Sequence, residues 1–375
     1  MLLTEVQGKR LLREARVPVP DGREISHPAQ LADWTPTFPV AVKAQVAAGG
    51  RGLAGGVRKC TTGDEVNAAT TALLNMSFGG ERAGSVLVEQ WLDIRRELYL
   101  SVVVDAAAGG YVVLYSPRGG VHVEDETQTR VRYDVGLPRN FRAYTFRDIL
   151  SLVEPDRAVR ERVVAIARRL LELCASRHCT TLELNPLVVL GDGQLVAADA
   201  KAVVDDAAQF KSEWIRDLLV QDIDGQPEDV QRCLRGGLSV VWLGGSVGLV
   251  SSGAGMTMAV MDELDAWGGR AACFLDVSGN PTPDGFALAI DLLAASPQVD
   301  AVLISIFGGG MHVDRVASTL LDVLSRKPVG KPVVIRLGGT GSEVATRLLE
   351  RAGLFNHETL EDAVRDVVNV TGVAV

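Results

Sequence analysis

The sequence predicts an α/β protein in two parts: an α+β part with antiparallel strands, followed by a part built on a parallel sheet. Before about residue 205, β-rich apolar runs are separated by short polar breaks, as is typical of β-hairpins. After Gly237, four apolar runs each end in Gly or Ser and lead into a helical segment. That alternation predicts a doubly wound parallel sheet, whose ligands bind at the carboxyl ends of its strands.

The length of 375 residues exceeds what one hydrophobic core usually covers, so two or three domains are expected. A net charge of −9 argues against nucleic acid as the main partner, because phosphate binding needs a basic surface. The N-terminus lacks the apolar stretch of a signal peptide, and no apolar run reaches the roughly 18 residues of a membrane span. The five cysteines form no CxxC pair and are expected to be reduced thiols. We therefore expect a cytoplasmic protein that binds neither nucleic acid nor membranes.

In the first part, the pattern predicts an N-terminal helix followed by strands. Residues from Thr4 to about Ala15 have helical periodicity and end at a Pro/Gly turn signal. Residues 146–176 are also helical in pattern, and Gly-Asp-Gly at 191–193 predicts a tight turn between two strands. The predicted strands cover 39–46, 85–92, 97–105, 111–116, 180–190 and 194–204.

The second part repeats a unit of strand, glycine turn and helix. A polar stretch at 221–237 is expected to link a first domain over 1–225 to a second over 238–375. The apolar runs are 240–256, 271–279, 299–310 and 331–341, and the helical segments are 256–267, 284–296, 313–325 and 342–353.

Lys43 and the glycine-rich stretch after it form the first candidate site. Lys43 lies in a predicted strand just before Gly50, Arg51 and Gly52. An ammonium group neutralises phosphate charge, and glycines let backbone N–H groups approach phosphate oxygens. The string matches neither the P-loop nor the dinucleotide fingerprint, so a glycine-rich hairpin without a ligand is an equal alternative.

Acidic and amide side chains at strand ends form two further candidates. Glu89 and Glu97 flank a break between two strands, where an acid can accept hydrogen bonds from a ribose; solvated surface glutamates are the alternative. Glu183 and Asn185 are two apart in one strand, so their side chains leave the same face, and Asp199 is expected to pair across it. Carboxylate and amide oxygens suit Mg²⁺ bound together with substrate phosphates. An acidic face turned to solvent is the alternative.

Two glycine-rich turns in the second part are candidate anion sites. Ser252 lies in the first turn, and Gly308, Gly309 and Gly310 form the second. Each turn ends a strand and opens a helix, where free N–H groups and the helix dipole favour anions. A turn that binds no ligand is the alternative in both places.

Six strings, found in one order along nearly the whole chain, resemble the succinate–CoA ligase beta subunit. None is decisive alone, but six in register are specific. The resemblance implies an ATP-grasp domain followed by a smaller, flavodoxin-like CoA-ligase domain. The strings are VKAQVAAGGRGLAGGVRK, VLVEQWLDIRRELYLSVVVD, LELNPLVV with VAADAK, SSGAGMTMAVMD, FLDV and SIFGGG.

The resemblance also implies ATP as co-substrate, Mg²⁺, a carboxylic acid substrate and a role for each matching position. In the family, a separate alpha subunit carries a phosphohistidine and makes most of the CoA contacts, so a partner of that kind is expected. The implied roles are ATP phosphates for Lys43, Gly50, Arg51 and Gly52; the nucleoside for Glu89, Leu92 and Glu97; Mg²⁺ for Asn185 and Asp199; orientation of the phosphohistidine for Glu183; and the carboxylate substrate for Ser252, Gly308, Gly309 and Gly310.

The chain departs from the family pattern mainly around the carboxylate site. Ser252 replaces an Asn, Gly338 replaces the acid of the family string RLEG, and Ser278-Gly279-Asn280-Pro281 replaces a run of glycines. His312 stands where an Arg is usual and is either a ligand, a phosphoryl acceptor or a solvent-facing substitute. These changes predict a paralogue that uses another carboxylic acid.

Two other functions stay open from the sequence. One is an ATP-grasp ligase that joins a carboxylate to an amine without CoA, which the altered acid site would allow. The other is a non-catalytic subunit that keeps nucleotide affinity, which fewer cations in the glycine loop would allow, because Ala47 and Leu53 replace a His and a Lys.

Overall fold

The computed structural model describes residues 1–32, 34, 36–47, 52–78, 81–120, 130–277, 282–326 and 329–372. The chain divides into two compact units, Met1–Leu219 and Val220–Val375. The domain limits expected from sequence, 1–225 and 238–375, stay a prediction.

Helices and strands alternate along the whole chain. The helices are α1 (Glu5–Glu14), α2 (Gly63–Leu74), α3 (Ala143–Ser151), α4 (Arg157–Arg177), α5 (Glu213–Asp224), α6 (Glu228–Arg235), α7 (Ala254–Ala266), α8 (Pro283–Ala295), α9 (Val313–Arg326), α10 (Ser342–Arg351) and α11 (Leu360–Val370). The strands are β1 (Gly22–Ile25), β2 (Val40–Gln45), β3 (Val57–Cys60), β4 (Ser77–Phe78), β5 (Glu81–Arg82), β6 (Ser85–Gln90), β7 (Ile94–Asp105), β8 (Gly110–Ser116), β9 (Val131–Gly136), β10 (Cys179–Leu190), β11 (Leu195–Ala197), β12 (Lys201–Val204), β13 (Ser239–Trp242), β14 (Val247–Ser251), β15 (Cys273–Asp276), β16 (Ala301–Gly308) and β17 (Val333–Gly339).

The first unit contains two larger antiparallel sheets, as the hairpin pattern predicted. One has the strand order β1-β6-β2-β3, and α2 packs against it through Val66 and Leu73. The other has the order β11-β10-β7-β8-β9, with β12 also paired to β10. Helix α4 buries an apolar stripe that includes Val163 and Leu170 in the same core as Leu100 of β7. Burial of that stripe is the main source of stability for such a helix.

Local sequence explains where the N-terminal helices start and stop. The Thr4 hydroxyl accepts from the backbone N–H of Gln7, whose side chain accepts from the N–H of Thr4, a capping box that begins α1. Asp156 accepts from two N–H groups at the start of α4. At the other end of α4, His178 has a left-handed conformation with φ 55°, as is common at helix C-termini.

The strand predicted over 194–204 is wrong as one piece, because the chain leaves the sheet between β11 and β12. Residues Ala198–Ala200 form no strand. The Ala198 carbonyl accepts instead from the ammonium groups of Lys9 and Lys43, at 2.8 and 2.7 Å. Alternating apolarity does not reveal this break, because its cause lies in two lysines far away in sequence.

The second unit confirms the predicted doubly wound sheet, with strand order β13-β15-β14-β16-β17. Pairing is parallel except between β13 and β15. The apolar run 240–256 therefore holds two strands, β13 and β14, rather than one. Helices α7 and α11 cover one face through residues such as Val260 and Val364, and α8, α9 and α10 cover the other.

The polar stretch predicted as a linker is instead largely helical. Helix α6 lies inside it, and its Cys233 is fully buried in the core of the second unit. Val230 packs partly buried against the same core. The five cysteines are free and buried, as the prediction of reduced thiols requires. Over the residues that the structure describes, no helix is long and apolar enough to cross a membrane.

Candidate functional site

Two lysines and two glutamates form a buried charge cluster in the first unit. Lys43 Nζ of β2 lies 2.6 Å from Glu89 Oε1 and 2.9 Å from Glu5 Oε1. Lys9 Nζ of α1 lies 2.6 Å from Glu89 Oε2 and 2.7 Å from Glu5 Oε1. Both ammonium groups also donate to the Ala198 carbonyl. The cluster is electrically balanced, which makes the burial of four charges tolerable.

Lys43 is held in its charged form by this environment. Burial would lower the pKa of Lys43, but the carboxylates of Glu5, Glu89 and Asp199 outweigh it and raise that pKa above its usual value. The Lys43 side chain is 12% exposed, whereas that of Lys9 is 1% exposed. Of the two lysines, Lys43 therefore has the more exposed side chain.

The two glutamates predicted to contact the nucleoside differ in solvent exposure. Glu89 is 2% exposed, so the alternative of a solvated surface glutamate is wrong for it. Glu97, in β7, is exposed.

Lys9 and Glu5 were missed by sequence reasoning. Their spacing of four residues on one helix, where such side chains meet, was the available signal.

Glu97 and Asn185 both lie next to Gly120. The Asn185 side-chain oxygen accepts from the Gly120 N–H at 2.7 Å, and Gly119 N–H donates to the Glu97 carbonyl at 2.9 Å. Gly120 has φ 92°, and a Cβ there would lie 2.7 Å from Glu97 Oε2. Only glycine fits this position well, so the segment ending at Gly120 packs tightly over a predicted nucleotide residue and a predicted metal ligand.

Asp199 lies in the break between β11 and β12, close to Lys43. Its Oδ1 accepts from the Ala200 N–H at 2.8 Å, and its charge contributes to the raised pKa of Lys43. The neighbouring Ala198 N–H donates to the Pro186 carbonyl at 3.1 Å, which ties the break to the residue after Asn185. The break in the strand thus brings Asp199, Lys43 and the Asn185 region together.

These oxygens fit a hard cation that takes the rest of its ligands from phosphate and water. No group of three or more His, Cys, Asp or Glu side chains within the described ranges is arranged to hold a metal ion. The predicted pair supplies only one carboxylate and one amide oxygen. Mg²⁺ in nucleotide sites is commonly held in that sparse way, since it keeps waters and binds substrate phosphates.

Glu183 lies in β10, opposite Ser101 of β7 and Lys201 of β12. It is half-buried. Burial raises the pKa of Tyr99, two residues before Ser101, and a hydrogen bond between the Tyr99 and Glu183 side chains is a smaller cause of the same rise. Glu183 is therefore positioned by sheet neighbours on both sides, and the alternative of a freely solvated acidic face does not describe it.

The remaining predicted nucleotide residues are only partly covered by the structure. Gly50 and Arg51 lie outside the described residues. Gly52 is exposed, and apart from its chain neighbours no described residue lies within 4 Å of where its Cβ would be. Leu92 is half-buried in the short connection between β6 and β7.

In the second unit, the first glycine-rich turn leads from β14 into α7. Ser252 follows the last residue of β14 and is half-buried. Gly253 has φ 87°, and its N–H donates to Asp276 Oδ1 at 2.8 Å. Among the residues that the structure describes, no side chain caps the N-terminus of α7. A helix N-terminus without a side-chain cap is suited to an anion.

The second turn leads from β16 towards α9. Gly308 is buried, and a Cβ there would lie 2.1 Å from the Met311 carbonyl, so only glycine is accommodated. Gly309 and Gly310 are exposed. The Thr340 N–H donates to the Gly308 carbonyl at 2.8 Å, which anchors the turn to the end of β17.

His312, just before α9, faces solvent. Its side chain is 56% exposed, and its Nδ1 lies 3.4 Å from Asp314 Oδ1. This position agrees with the interpretation of His312 as a solvent-facing substitute. The segment Ser278-Gly279-Asn280-Pro281, another departure from the family pattern, lies outside the described residues.

A polar row that sequence reasoning did not identify crosses four neighbouring strands of the second unit. Asp276, Ser251, Ser305 and Arg336 are register partners in β15, β14, β16 and β17. Within the part of the chain that the structure describes, the Ser251 and Ser305 hydroxyls and Arg336 Nε and Nη1 are buried without a hydrogen-bond partner. Burial also lowers the pKa of the guanidinium. Unmet buried donors are rare enough to need an explanation.

Comparison with known protein families divides the chain as the fold does. Residues 2–189 match the ATP-grasp domain family, and residues 250–370 match the CoA-ligase family. The first match contains Lys43, Glu89, Glu97, Glu183 and Asn185. Asp199 lies just beyond it.

Full-length relatives and a solved structure are also similar. The chain is 34% identical to succinate–CoA ligase [ADP-forming] subunit beta of Natronomonas pharaonis, with 98% of each chain covered. It is 34% identical to the subunit of the same name from Alkalilimnicola ehrlichii, with 100% of each covered. It shares the fold of ATP citrate lyase from Methanothrix soehngenii, solved with citrate and coenzyme A, at a TM-score of 0.74 and 18% identity over 98% of this chain and 99% of that one.

Proposed function

We propose, from the premise that this chain belongs to the succinate–CoA ligase [ADP-forming] beta-subunit family, that it is the nucleotide-binding subunit of an ADP-forming carboxylic acid–CoA ligase. The observation that carries the proposal is the grouping of Lys43, Asp199 and the Asn185 region in the ATP-grasp part of the chain. A charged lysine suits the phosphate chain of a nucleotide, and the carboxylate and amide oxygens beside it suit the metal ion that the nucleotide carries.

The first unit is proposed to bind Mg–ATP. Asn185 and Asp199 would hold Mg²⁺ together with phosphate oxygens. Lys43 would neutralise part of the remaining phosphate charge, and the backbone N–H groups of Gly50, Arg51 and Gly52 would donate hydrogen bonds to phosphate oxygens. Glu89, Leu92 and Glu97 would contact the nucleoside, and lysines hold the Glu89 carboxylate through both of its oxygens. When bound, Mg²⁺ would offset negative charge on the phosphates.

The γ-phosphoryl group of ATP would then be transferred to a histidine of a separate alpha-type subunit. The bond from the γ-phosphorus to the bridging oxygen breaks, ADP leaves, and a phosphorus–nitrogen bond forms on the histidine. Glu183 is proposed to orient that histidine, because it is half-buried, hydrogen-bonded to Tyr99, and lies two residues before the proposed metal ligand Asn185 in β10. A positioned carboxylate holds an imidazole in the tautomer that attacks.

The second unit is proposed to take part in the acyl half of the reaction. Ser252 and the turn Gly308-Gly309-Gly310 would hold the carboxylic acid through backbone N–H groups at the starts of α7 and α9. A carboxylate oxygen of the acid attacks the phosphorus of the phosphohistidine, the phosphorus–nitrogen bond breaks and frees the histidine, and the acid becomes an acyl phosphate. The CoA thiolate, bound mainly by the partner, then attacks the acyl carbon and releases inorganic phosphate.

The direct test is ADP release from Mg–ATP over a panel of carboxylic acids, with and without CoA and with and without an alpha-type subunit from the same organism. We expect release that needs an acid, CoA and the partner together. Release by this chain alone, driven by an amine and indifferent to CoA, would replace the proposal with a stand-alone carboxylate–amine ligase. No turnover of ATP by the assembled complex with any acid would leave a non-catalytic subunit.

A further inference from the structure

The two lysines of the buried charge cluster share the same three acceptors. Lys9 Nζ lies 2.7 Å from Glu5 Oε1 and 2.6 Å from Glu89 Oε2. Lys43 Nζ lies 2.9 Å from that same Glu5 oxygen and 2.6 Å from Glu89 Oε1. The Ala198 carbonyl accepts from both ammonium groups. Because an ammonium group has three N–H donors, either lysine alone could donate to all three acceptors.

Only one of these two lysines has a proposed ligand. Lys43, on β2, is proposed to bind nucleotide phosphate, and its side chain is 12% exposed. Lys9, on α1, is 1% exposed and has no proposed contact with a substrate. Lys9 is thus a fully buried cation whose ammonium group repeats every contact that the phosphate lysine makes within the cluster.

Helix α1 holds Lys9 beside the break between β11 and β12. A Cβ at Gly8 would lie 3.3 Å from both the Cβ and the carbonyl oxygen of Ala200, so the helix packs closely against the break. Just before the helix, the Leu3 N–H donates to the Ala202 carbonyl at 2.9 Å. Packing and a backbone hydrogen bond therefore fix the part of α1 from which the Lys9 side chain reaches the cluster.

The charge that remains when Lys43 binds phosphate explains why a second lysine is needed. The four charges of the cluster sum to zero as long as both lysines pair with Glu5 and Glu89. Once the Lys43 ammonium group pairs with a phosphate instead, one positive and two negative charges stay buried. Without Lys9, two buried carboxylates would be left without a lysine, which is strongly unfavourable. In such a protein the carboxylates would compete with phosphate for Lys43.

We infer that Lys9 is a positioning residue of the nucleotide site, which supplies the positive charge for Glu5, Glu89 and the Ala198 carbonyl so that Lys43 can bind phosphate. The inference rests on one part of the proposed function, namely that Lys43 binds the phosphates of ATP. Lys9 acts on the nucleotide through Lys43 and takes no direct part in phosphoryl transfer.

The test measures binding of Mg–ATP by calorimetry to the complete complex, this chain with its alpha-type partner. The variants are Lys9→Met, Glu5→Gln and the double variant Lys9→Met/Glu5→Gln. Arg10→Met removes an exposed charge from the same helix and is the matched control. Leu170→Ala, which opens a cavity in the core of the first unit, is the control for loss of stability alone. Thermal unfolding of each variant shows that folded proteins are compared.

We expect Lys9→Met to raise Kd for Mg–ATP roughly ten- to hundredfold, as for loss of a charged hydrogen bond. Glu5→Gln should bind Mg–ATP at least as tightly as the wild type, because it removes a carboxylate that competes with phosphate for Lys43. The double variant should recover most of the affinity, since one carboxylate then remains for one lysine. Both controls should keep the wild-type Kd.

The opposite effects of Lys9→Met and Glu5→Gln separate this role from a merely structural one. A cluster that only stabilises the fold would lose affinity whichever member is removed, so weaker binding in Glu5→Gln would overturn the inference. A wild-type Kd in folded Lys9→Met would overturn it too, and so would an equal loss of affinity in Leu170→Ala. If Lys9→Met does not fold, the result for Glu5→Gln decides.

Acyl-CoA formation by the same complexes distinguishes failure of this inference from failure of the proposed function. Binding of Mg–ATP that depends on Lys9, in a complex that forms no acyl-CoA with any acid, would support the inference while the proposed function fails. Acyl-CoA formation by Lys9→Met with the wild-type KM for ATP would leave the proposed function standing and overturn the inference.

Discussion

At the scale of single residues, the nucleotide site depends on how buried charges are balanced. Lys43 is charged because three carboxylates surround it, and one of these, Asp199, is also the proposed metal ligand. On this proposal Asp199 would interact both with the Lys43 ammonium group and with the metal ion of the nucleotide, and its removal would affect both.

Asp199→Ala should abolish ADP formation while leaving the fold intact. The metal would lose its only proposed carboxylate ligand, and the charges around Lys43 would change. The measurement is ADP release by the complex with partner, acid and CoA. Asp192→Ala, in the exposed turn between β10 and β11, is the matched control and should behave like wild type. Substantial turnover in Asp199→Ala would remove the assigned role.

Glu183→Gln should leave Mg–ATP binding unchanged and slow phosphorylation of the partner at least a hundredfold, since orientation of a reacting imidazole contributes on that order. Calorimetry measures the first quantity, and transfer of labelled γ-phosphate measures the second. The exposed Glu172→Gln on α4 is the control. If Glu183→Gln transferred phosphate at the wild-type rate, Glu183 would have no part in orienting the histidine.

Lys9→Met should destabilise the first unit by about 3 kcal/mol, the cost of removing one partner from a buried ionic group. It leaves Glu5 and Glu89 with one lysine between them. Urea unfolding measures the effect. The double variant Lys9→Met/Glu5→Gln restores charge balance and should recover part of the loss. A Lys9→Met protein as stable as wild type would mean that the stability of the first unit does not depend on the balance of these buried charges.

The chemistry of single residues was partly predictable. Lys43, Asp199 and Asn185 were predicted as site residues because they stand in strings that resemble a family. Lys9 and Glu5 were missed, because their four-residue spacing shows that the two side chains meet but not whether they face water or the interior. Arg336 was seen only as part of a changed string, since its unmet donors become apparent only in three dimensions.

At the scale of elements, the joint between α3 and α4 is fixed to the central sheet of the first unit by another buried ionic group. Glu154, which is fully buried, accepts from two nitrogens of Arg96 in β7 and from the Tyr115 hydroxyl of β8 at 2.6 Å. Burial would raise the pKa of Glu154, but these hydrogen bonds outweigh it and lower that pKa below the usual 4.5.

Glu154→Gln should lower the free energy of unfolding by about 3 kcal/mol at neutral pH, since it leaves the Arg96 charge unpaired. Because the folded pKa is lowered, the contribution of Glu154 is complete above the unfolded pKa near 4.5 and is lost as pH falls through the folded pKa. The stabilities of the wild type and the variant should therefore converge as pH falls below 4.5 and through the folded pKa of Glu154.

Urea unfolding at several pH values checks this prediction. Glu161→Gln breaks an exposed pair with Arg147 on the same helix pair and should change stability little. A constant difference between Glu154→Gln and wild type from pH 7 down to pH 3 would show that ionisation of Glu154 does not contribute to stability.

Helices and strands could be predicted from the sequence wherever a single pattern determined them. The repeat of strand, glycine turn and helix predicted β14 to α10 because each helix buries one apolar stripe on the sheet. The strand pattern did not predict the break between β11 and β12, where two distant lysines bind the backbone. The polar composition of residues 221–237 did not predict α6, which buries a single cysteine.

At the scale of the whole molecule, the chain holds two units that would each perform half of a reaction. The first groups the proposed nucleotide residues, and the second presents two glycine-rich turns above the row that ends in Arg336. The histidine that links the two halves is proposed to come from a partner. Neither the sequence nor the fold of one chain contains that partner, so its identity could not be predicted.

The most direct test of the central claim is transfer of the labelled γ-phosphate of ATP to the alpha-type subunit, with this chain and Mg²⁺ present and without acid or CoA. We predict label on a histidine of the partner, recognised by its lability in acid and stability in base, which addition of acid and CoA then discharges. ATP consumption in this mixture with no label on the partner at any time would contradict the claim.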